Sequence, residues 1–438
     1  MPEPVRFPCD RLPDEPAHAR LLGLYDQRQE GLLMQRVKVR SGRITPGQLR
    51  ALAEIALRFT PGYPLHLTTR QDVELHGVKP DDVPAVQRAI ADAGLTTLGA
   101  CGDTLRNVTA CPGGGLCAGS VDSGAVAEAV REAAEKFPAI RALPRKFKIS
   151  VSGCEHACAK PWINDLGIVA AKDGTFRVIG AGSLGPRPAT GIELAAGLKR
   201  TELIPFVLAA LRLFEAQGDR KNRGRARLRH VRERMGDGAF VGMLNSLSRE
   251  ELQRGNHPEI PLTPSPGADL HVSRVRPPLG DIDPPQIDQL ARDIERSGAI
   301  IRTGFEQELL VFGEKPRVSV ADGPRIVACP GTTWCKRGIA DARLAARNIA
   351  TALTRNDILI AISGCPNGCA HNAVAEIGLV GRIKEIGGKR VECFAVYTGG
   401  GRGETPQLAK EIRDAVAGDE VAQVVKRLAD EFIARGGG

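Results

Sequence analysis

Eight of the eleven cysteines lie in four close pairs, two pairs in each half of the sequence. The pairs are Cys111/Cys117, Cys154/Cys158, Cys329/Cys335 and Cys365/Cys369. The N-terminus has no apolar stretch of the kind that directs secretion, so structural disulfides are not expected. Cysteines clustered in this way predict metal or redox chemistry.

The spacing of each cysteine set favours an iron–sulfur cluster. Each set reads C-x5-C followed by C-x3-C, and four thiolates suit a [4Fe–4S] cube, which takes one cysteine per iron. Structural zinc pairs usually read C-x2–4-C, so the five-residue gap argues against zinc. Glycines beside the cysteines, as in "ACPGGGLC" and "SGCPNGC", let the backbone bend closely around a cluster.

The elements that must position these cysteines are repeated along the chain. "RVKVRSGRITPGQLRAL" from Arg36 matches "RVRPPLGDIDPPQIDQL" from Arg274, and each predicts a strand, a turn and a helix. The cysteine motifs repeat as well, as "ACPGGGLC" and "ACPGTTWC" and as "SGCEHAC" and "SGCPNGC". The sequence therefore predicts two copies of one α+β unit.

The second-half motifs resemble those of the siroheme-containing sulfite and nitrite reductases. "ACPGTTWCKRGIADAR", "SGCPNGCAHNAVAEIGLVG" and "YTGGG" carry the resemblance, and the paired layout extends it to nearly the whole chain. It implies an α+β (α/β-like) fold with a tandem pseudo-twofold repeat, in which a ferredoxin-like half-domain precedes a siroheme/[4Fe–4S] α/β domain. The expected boundaries are 20–98 and 99–219 for the first half, 220–266 for a basic linker, and 267–318 and 319–438 for the second half.

The resemblance also assigns the cofactors. Cys329, Cys335, Cys365 and Cys369 would hold a [4Fe–4S] cluster, and Cys369 would also be the axial ligand of the siroheme iron. The first-half set departs from most single-chain members of the family, which lack it. Those cysteines either hold a second cube, as in the dissimilatory two-subunit relatives, or are relics buried as small apolar residues. Their intact spacing favours a second cube.

Reducing a small oxyanion requires cations around the open face of the haem. The first half offers Arg70, Arg106, Lys146 and Lys148, and the two lysines lie on one face of a predicted strand. The resemblance places all four at the family's anion-binding positions, with Arg70 and Arg106 also contacting the cofactor. Aligning the two halves puts Glu306, Asp357 and Leu359 at the positions of Arg70, Lys146 and Lys148, respectively, so one active site per chain is expected.

The expected activity is the six-electron reduction of sulfite to sulfide, with nitrite to ammonia as the alternative. Sulfite is favoured because the family's plant-type nitrite reductases tend to carry asparagine where this chain has Lys148. A precorrin-3B synthase-like monooxygenase is less expected, because it would have little reason to keep the four cations. A non-enzymatic carrier with two clusters would explain neither those cations nor the repeated half-domains.

Charge and composition indicate the partners. The net charge is +9, but aromatic residues make up only 4%, which argues against stacking on nucleic-acid bases. The arginine-rich run at 219–234 is interpreted as a helix with a solvated face, with cofactor carboxylates or a docking partner as the alternative. Because no flavin or NADPH module is recognised, electrons would come from reduced ferredoxin or a separate flavoprotein. No membrane-spanning stretch is found, and the expected compartment is the cytoplasm.

Overall fold

A computed structural model describes residues 5–265, 271–313, 324–353, 357–401 and 406–434. Within these residues the strands form four sheets, and both halves follow the same order of elements. The expected boundaries at 266–267 and 318–319 lie outside the described residues.

The first half begins with an antiparallel sheet in the order β1-β2-β4-β3, covered by helices. Its elements are α1 (Pro16–Leu21), β1 (Leu24–Asp26), β2 (Leu33–Val37), α2 (Pro46–Phe59), β3 (Leu65–Leu67), β4 (Val73–Val78) and α3 (Val83–Asp92). A capping box between Thr45 and Gln48 starts α2, and Pro46 occupies its first turn. The apolar face of α2, with Leu49 and Leu52, packs into the core.

The first cysteine domain follows as a five-stranded mixed sheet. Its elements are β5 (Thr109–Ala110), α4 (Ser123–Glu135), β6 (Ile149–Ser152), β7 (Leu166–Ala170), β8 (Phe176–Gly180), β9 (Ile192–Leu198) and α5 (Leu203–Gln217). Strands β5, β6 and β7 are parallel, and β8 and β9 continue the sheet antiparallel. Parallel strands bring their carboxyl ends to one edge, so the segments after β5 and β6, which carry the cysteines, lie together.

The segment expected to be a linker is largely helical. It contains α6 (Leu228–Met235) and α7 (Asp237–Arg254). Phe240 and Leu244 are buried in the same core as α5, and α7 packs along that helix. These apolar side chains pack the segment expected to be a linker onto the first cysteine domain.

The second half repeats the plan. Its elements are β10 (Val272–Val275), β11 (Asp281–Ile282), α8 (Pro284–Ser297), β12 (Ile300–Thr303), β13 (Leu309–Phe312), β14 (Ile326–Ala328), α9 (Gly331–Trp334), α10 (Ala342–Ala352), β15 (Ile360–Ser363), β16 (Ile377–Ile386), β17 (Lys389–Thr398), β18 (Lys410–Ala417) and α11 (Val421–Ala434). The sheets run β10-β13-β12 and β14-β15-β16-β17-β18. The second of these has the same pattern of parallel and antiparallel neighbours as its first-half counterpart.

The two halves interlock through their half-domains. Strand β11 of the second half pairs with β3 of the first, with Asp281 opposite His66 and Ile282 opposite Leu65. Helices α2 and α8 pack together, and Leu52 and Leu290 share one core. This arrangement places loops of each half-domain beside the cysteine domain of the other half.

Candidate functional site

The two Ser-Gly-Cys turns have the same backbone geometry. The hydroxyls of Ser152 and Ser363, at the ends of β6 and β15, each accept a hydrogen bond from the N–H of the residue after the second cysteine. Those residues are Ala159 and Ala370, and both distances are 3.2 Å. The turns therefore hold their cysteines in equivalent positions.

The glycines nine residues beyond the second cysteines are required by close packing. A Cβ at Gly167 would lie 2.2 Å from the Pro161 side chain, and a Cβ at Gly378 would lie 2.2 Å from the Asn372 carbonyl oxygen. Both contacts fall within the turn that returns from the cysteines to the sheet. Only glycine lets the sheet approach the turn so closely.

The second-half cysteines form one donor set. Burial raises the pKa values of Cys329, Cys335 and Cys365, and the neighbouring charge of Cys369 raises all three further. The N–H of Gly364 donates to Cys329 Sγ at 3.1 Å. Backbone donors of this kind stabilise thiolates and cluster sulfurs.

The first-half cysteines also come together. A hydrogen bond between Cys111 and Cys158 raises the pKa of Cys111 and lowers that of Cys158. Cys154 interacts with both Cys158 and Cys117. A Cβ at Gly113 would lie 2.5 Å from Cys117 Sγ, so glycine is needed for the chain to pass that thiol.

Both sets are open arrangements. Among the residues that the structure describes, no three His, Cys, Asp or Glu side chains converge on a point where one metal ion would bind. A [4Fe–4S] cube binds each thiolate at a different iron, so its ligands surround a volume. The donor chemistry of both sets fits such a cube.

The loop between β3 and β4, which carries Arg70, bridges the first cysteine domain and the second half. Gln71, with φ of 62°, exchanges two hydrogen bonds of 2.9 Å with the backbone of Ala110, at the end of β5. Thr69 Oγ1 donates to the carbonyl oxygen of Cys369 at 2.9 Å. The loop therefore joins the strand that leads to Cys111 with the turn that carries Cys369.

The Arg70 guanidinium is held from two sides. Nη1 donates to Asn164 Oδ1 at 3.0 Å and Nη2 to the Asn107 carbonyl oxygen at 2.8 Å. Its Nε is buried and has no hydrogen-bond partner. Burial lowers the pKa of Arg70 to about 10. Arg106, the residue before Asn107, is buried and donates through Nε to the Ala100 carbonyl oxygen at 2.9 Å.

Lys146 and Lys148 flank a fully buried Phe147 immediately before β6. Phe147 bridges to Leu105 in parallel and packs in the core, so the two lysines lie on the opposite side of the extended segment. Burial, followed by the charges of Arg227 and Arg106, lowers the pKa of Lys146 to about 7, and Cys369 opposes this lowering. The pKa of Lys148 is lowered well below its usual value by burial and then by Arg70 and Lys146.

The four sequence-predicted cations therefore share one site. The charges of Arg70, Arg106 and Lys146 each lower the pKa of Lys148. The charge of Cys369, in the second half, raises the pKa of Lys146, so that cysteine also lies close to the cations. Cations of the first half and the last cysteine of the second half thus face the same space.

Sequence reasoning missed a fifth cation, Arg227. Its Nε and Nη2 donate to the Asp165 carboxylate at 3.1 and 2.6 Å, and both side chains are buried. Asp165 Oδ2 also accepts from the backbone N–H of Lys148 at 2.8 Å, which fixes the lysine strand. The signal was the arginine-rich run at 219–234, and the solvated-face interpretation is wrong at Arg227.

The residues after Arg227 fit a polyanionic group. Arg229 and His230 are buried, and Arg229 Nε and His230 Nδ1 have no hydrogen-bond partner. The positive charge of Arg187, an exposed residue, lowers the pKa of both Arg229 and His230. Buried donors without partners are costly unless a ligand satisfies them, and the carboxylates of a siroheme supply that kind of acceptor.

The equivalent position in the second half is neutralised internally. Glu306, in the place of Arg70, accepts two hydrogen bonds from Arg325 at 2.7 and 3.1 Å. Leu359, in the place of Lys148, donates its backbone N–H to Glu376 at 3.2 Å, as Lys148 does to Asp165. The backbone arrangement is retained, but the cationic cluster is not.

Comparison with known proteins gives a consistent result. The family model described as the nitrite and sulphite reductase 4Fe-4S domain matches residues 101–249 and 321–436. The model of the nitrite/sulfite reductase ferredoxin-like half domain matches residues 25–93.

Relatives match over almost the whole chain. The assimilatory ferredoxin-dependent nitrite reductase of Haloferax mediterranei is 27% identical and covers 94% of this chain and 81% of its own length. The ferredoxin sulfite reductase of Mycobacterium tuberculosis is 26% identical, covering 94% of this chain and 85% of its own. The structure of the Mycobacterium tuberculosis NirA protein has the same fold, with a TM-score of 0.80 at 24% identity, covering 95% of this chain and 87% of that one.

Within the described residues, no helix has the length and apolar character needed to cross a membrane. The expected α+β fold of two repeated halves is confirmed, and so is the resemblance stated from the cysteine motifs. The chain belongs to the nitrite and sulphite reductase family, and it is an enzyme whose cofactors are siroheme and a [4Fe–4S] cluster.

Proposed function

We propose that this enzyme reduces a small oxyanion by six electrons at a siroheme coupled to a [4Fe–4S] cluster, with sulfite as the preferred substrate. The observation that carries the proposal is the group of first-half cations facing Cys369 of the second half. Cys329, Cys335, Cys365 and Cys369 would hold the cluster, and Cys369 would also ligate the siroheme iron. When bound, siroheme supplies an iron that binds the anion and passes electrons to it.

The chain's own residues bind the anion and move protons. The guanidinium groups of Arg70 and Arg106 neutralise the anion, and their hydrogen bonds to Asn164, Asn107 and Ala100 fix the direction of each. Lys146, with a pKa of about 7, can both hold and release a proton near neutral pH. These properties suit the stepwise removal of oxygens as water.

The preference for sulfite is drawn from the pair of lysines. A second lysine side chain on the same face suits a doubly charged anion better than a singly charged one. Nitrite is the alternative substrate, and it is supported by the Haloferax mediterranei relative, which is named as a nitrite reductase. The Mycobacterium tuberculosis relative is named as a sulfite reductase, so both activities occur at similar identity.

We also propose that the first-half cysteines hold a second [4Fe–4S] cube. Cys111, Cys117, Cys154 and Cys158 interact with one another as the second-half set does, and the Ser-Gly-Cys turns match. Buried relics would not need the close passages that glycine provides at Gly113 and Gly167. Without a cationic cluster opposite it, this cube would carry electrons and not bind substrate.

Reduced ferredoxin is the proposed electron donor, in the cytoplasm. The two named relatives are ferredoxin enzymes, and a chain of net charge +9 would attract an acidic donor. A separate flavoprotein is the alternative. Omitting each donor in turn from a reconstituted assay distinguishes them.

The deciding experiment compares kcat/KM for sulfite and nitrite with a reduced viologen or reduced ferredoxin. We expect siroheme absorption in the purified protein and a higher kcat/KM for sulfite. A higher value for nitrite would reverse the substrate assignment. Failure to reduce either anion, in protein that contains siroheme, would overturn the proposed function.

A further inference from the structure

A cavity of about 520 Å³ lies between the first half-domain and helix α4 of the first cysteine domain. Three segments form most of its wall: the connection from β2 to α2, the residues that follow α3, and the first turns of α4. None of the four cations assigned to the substrate lines it. A cavity of this volume falls in the range of small-molecule binding sites and is larger than sulfite or nitrite needs.

Lys38 provides a buried ammonium group in this wall. It is 3% exposed, and its backbone N–H donates to the Thr96 carbonyl oxygen at 2.8 Å, which fixes the residue in place. Its Nζ donates to the Leu98 carbonyl oxygen at 3.2 Å, and no carboxylate in the described ranges lies within 4 Å of it. Burial lowers the pKa of Lys38 to about 8, and the charges of Glu135 and Asp72 oppose this lowering. A buried ammonium without an anionic partner is stabilised when an anion binds to it.

Arg40 contributes a second cation to the same cavity. It lines the cavity, is exposed, and forms no ion pair within 4 Å among the residues that the structure describes. Its charge also lowers the pKa of Lys38, so the two groups are close enough to repel each other. Arg43, the third cation of the wall, is already paired with Asp122. Lys38 and Arg40 therefore remain available to a ligand, and an anion between them would offset their repulsion.

The acidic residues of the cavity are neutralised within helix α4. Glu128 and Glu132 line the cavity, and their carboxylates lie 2.5 and 3.6 Å from Arg131 Nη2. The hydrogen bond from Arg131 is the main cause that lowers the pKa of Glu128. A cationic ligand would have to compete with Arg131 for these carboxylates, whereas an anionic ligand meets two cations that have no carboxylate partner. The charges of the wall therefore favour an anion.

The rest of the lining suits a carbon skeleton. Leu95, Ala125, Ala129 and Pro261 contribute apolar side chains to the wall. An inorganic anion would leave this apolar surface in contact with water, whereas an organic anion would cover it. The ligand class that fits the cavity is therefore a small organic anion, with one carboxylate or phosphate group and a compact apolar body.

The corresponding crevice of the second half lacks these properties. When Arg36 is aligned with Arg274, Lys38 falls on Arg276, which lines a cavity of only about 140 Å³. Arg276 Nε donates to Glu308 at 3.2 Å, so this arginine has the carboxylate partner that Lys38 lacks. The larger cavity and its unpaired cations are therefore a feature of the first half that the repeat does not impose.

We propose that the cavity of the first half binds a small organic anion, whose carboxylate or phosphate group bridges Lys38 and Arg40. The anion would accept hydrogen bonds from both side chains, and the apolar residues of the wall would cover its body. This site is separate from the substrate cations, and it does not depend on the proposed function.

Isothermal titration calorimetry of the purified holoenzyme with phenyl phosphate and with benzoate tests the proposal. We expect both anions to bind, and benzyl alcohol, which has no charge, to bind about ten-fold more weakly or less. Lys38→Met should weaken the binding of both anions by about ten-fold or more, and Arg40→Ala should weaken it by about three-fold or more. Arg347→Ala removes an exposed cation from the wall of the second-half crevice, and it should leave both affinities unchanged.

Further variants separate this cavity from the substrate site. Lys146→Met alters the substrate cations and should bind both probes as the wild type does. If it loses as much affinity as Lys38→Met, the probes occupy the substrate site and the proposal is overturned. Because Arg40 is exposed, Arg40→Ala tests the cavity even if Lys38→Met fails to fold. The absence of probe binding to the wild type, or equal affinities in the wild type and Arg40→Ala, would also overturn the proposal. These binding results stand whether or not the enzyme reduces sulfite or nitrite, so failure of the proposed function is a separate outcome.

Discussion

The two halves of the molecule share the hydrogen bonds that shape their backbone, but they differ in the charged side chains at equivalent positions. Gln71 and Gln307 make the same pair of hydrogen bonds, each to the strand before its cysteine set. Yet Arg70 beside the first glutamine corresponds to Glu306 beside the second. Hydrogen bonds that shape the turn are needed wherever the turn occurs, whereas side chains facing the cofactor space can change without altering the fold.

The difference in charge between the two halves also affects the stability of the folded state. In the first half, Lys146 and Lys148 are buried near like charges, which lowers the pKa of each and weakens the folded state. In the second half, Glu306 and Arg325 neutralise each other. A site that must attract an anion keeps unpaired positive charge, and a site that does not can pair its charges internally.

The largest expected effect comes from a matched pair of cysteine variants, Cys365→Ser and Cys154→Ser. Cys365→Ser should abolish turnover, because it would remove a proposed ligand of the cluster joined to siroheme. Cys154→Ser, at the equivalent position, should retain siroheme. Iron and acid-labile sulfide analysis should give about eight cube irons per chain for the wild type and about four for Cys154→Ser. If the wild type contains only about four, the first-half set holds no cube.

The next largest effect should come from changing the charged residues at aligned positions in the two halves, with the variants Lys146→Met and Asp357→Asn. Lys146→Met should reduce kcat/KM by about 10²- to 10⁴-fold, the range expected when a proton-donating group is removed. The siroheme and cluster spectra should persist. Asp357 is exposed, and its variant should behave as wild type. Equal losses in both variants would show that the two halves contribute equally to the site.

Much of this comparison could be predicted from the sequence. The offset between the halves and the eight paired cysteines were enough to predict the repeat, and aligning Gln71 with Gln307 located the change from Arg70 to Glu306. These inferences succeeded because short motifs with unusual residues determine local backbone geometry. The assignment of the four cations to substrate stays a prediction that the variants must test.

Other parts of the site could not be predicted, because they depend on long-range contacts. The interpretation of residues 219–234 as a solvated face missed Arg227, since the buried partner Asp165 lies 62 positions earlier in the chain. The hydrogen bond from Thr69 to Cys369 joins residues 300 positions apart. Local periodicity cannot report such pairs, and burial of a charged residue becomes visible only when both partners are placed.

A smaller effect should appear in the pH dependence of the cationic half. As pH rises through about 7, Lys146 loses its proton, so kcat/KM for nitrite should fall by up to tenfold per pH unit. Nitrite is the suitable probe because its own charge does not change near neutral pH. Lys146→Met should lose this dependence, and a wild-type profile that stays flat from pH 6 to 9 would contradict the assignment.

Lys146 should also affect how the free energy of unfolding depends on pH. Its folded pKa of about 7 lies below the unfolded value, so the unfolded chain binds more protons above pH 7 and the free energy of unfolding rises with pH there. Lys146→Met removes the cost of burying the charge, so it should stabilise the protein more at pH 6.5 than at pH 9. Urea titrations at the two pH values measure the difference.

The smallest effect concerns the pair of hydrogen bonds that each glutamine makes to the backbone, which Gln71→Met and Gln307→Met remove. Each variant leaves one buried backbone N–H and one C=O unpaired, at Ala110 or at Ala328, which should cost about 1–3 kcal/mol of unfolding free energy. The two losses should be similar, because the clamps are alike. Only Gln71→Met should also lower kcat/KM, by a few-fold, because Arg70 then loses the loop geometry that holds it among the first-half cations. Chemical denaturation and steady-state kinetics on the same preparations separate the two contributions, and a Gln307→Met variant that loses as much turnover as Gln71→Met would show that both loops position the substrate.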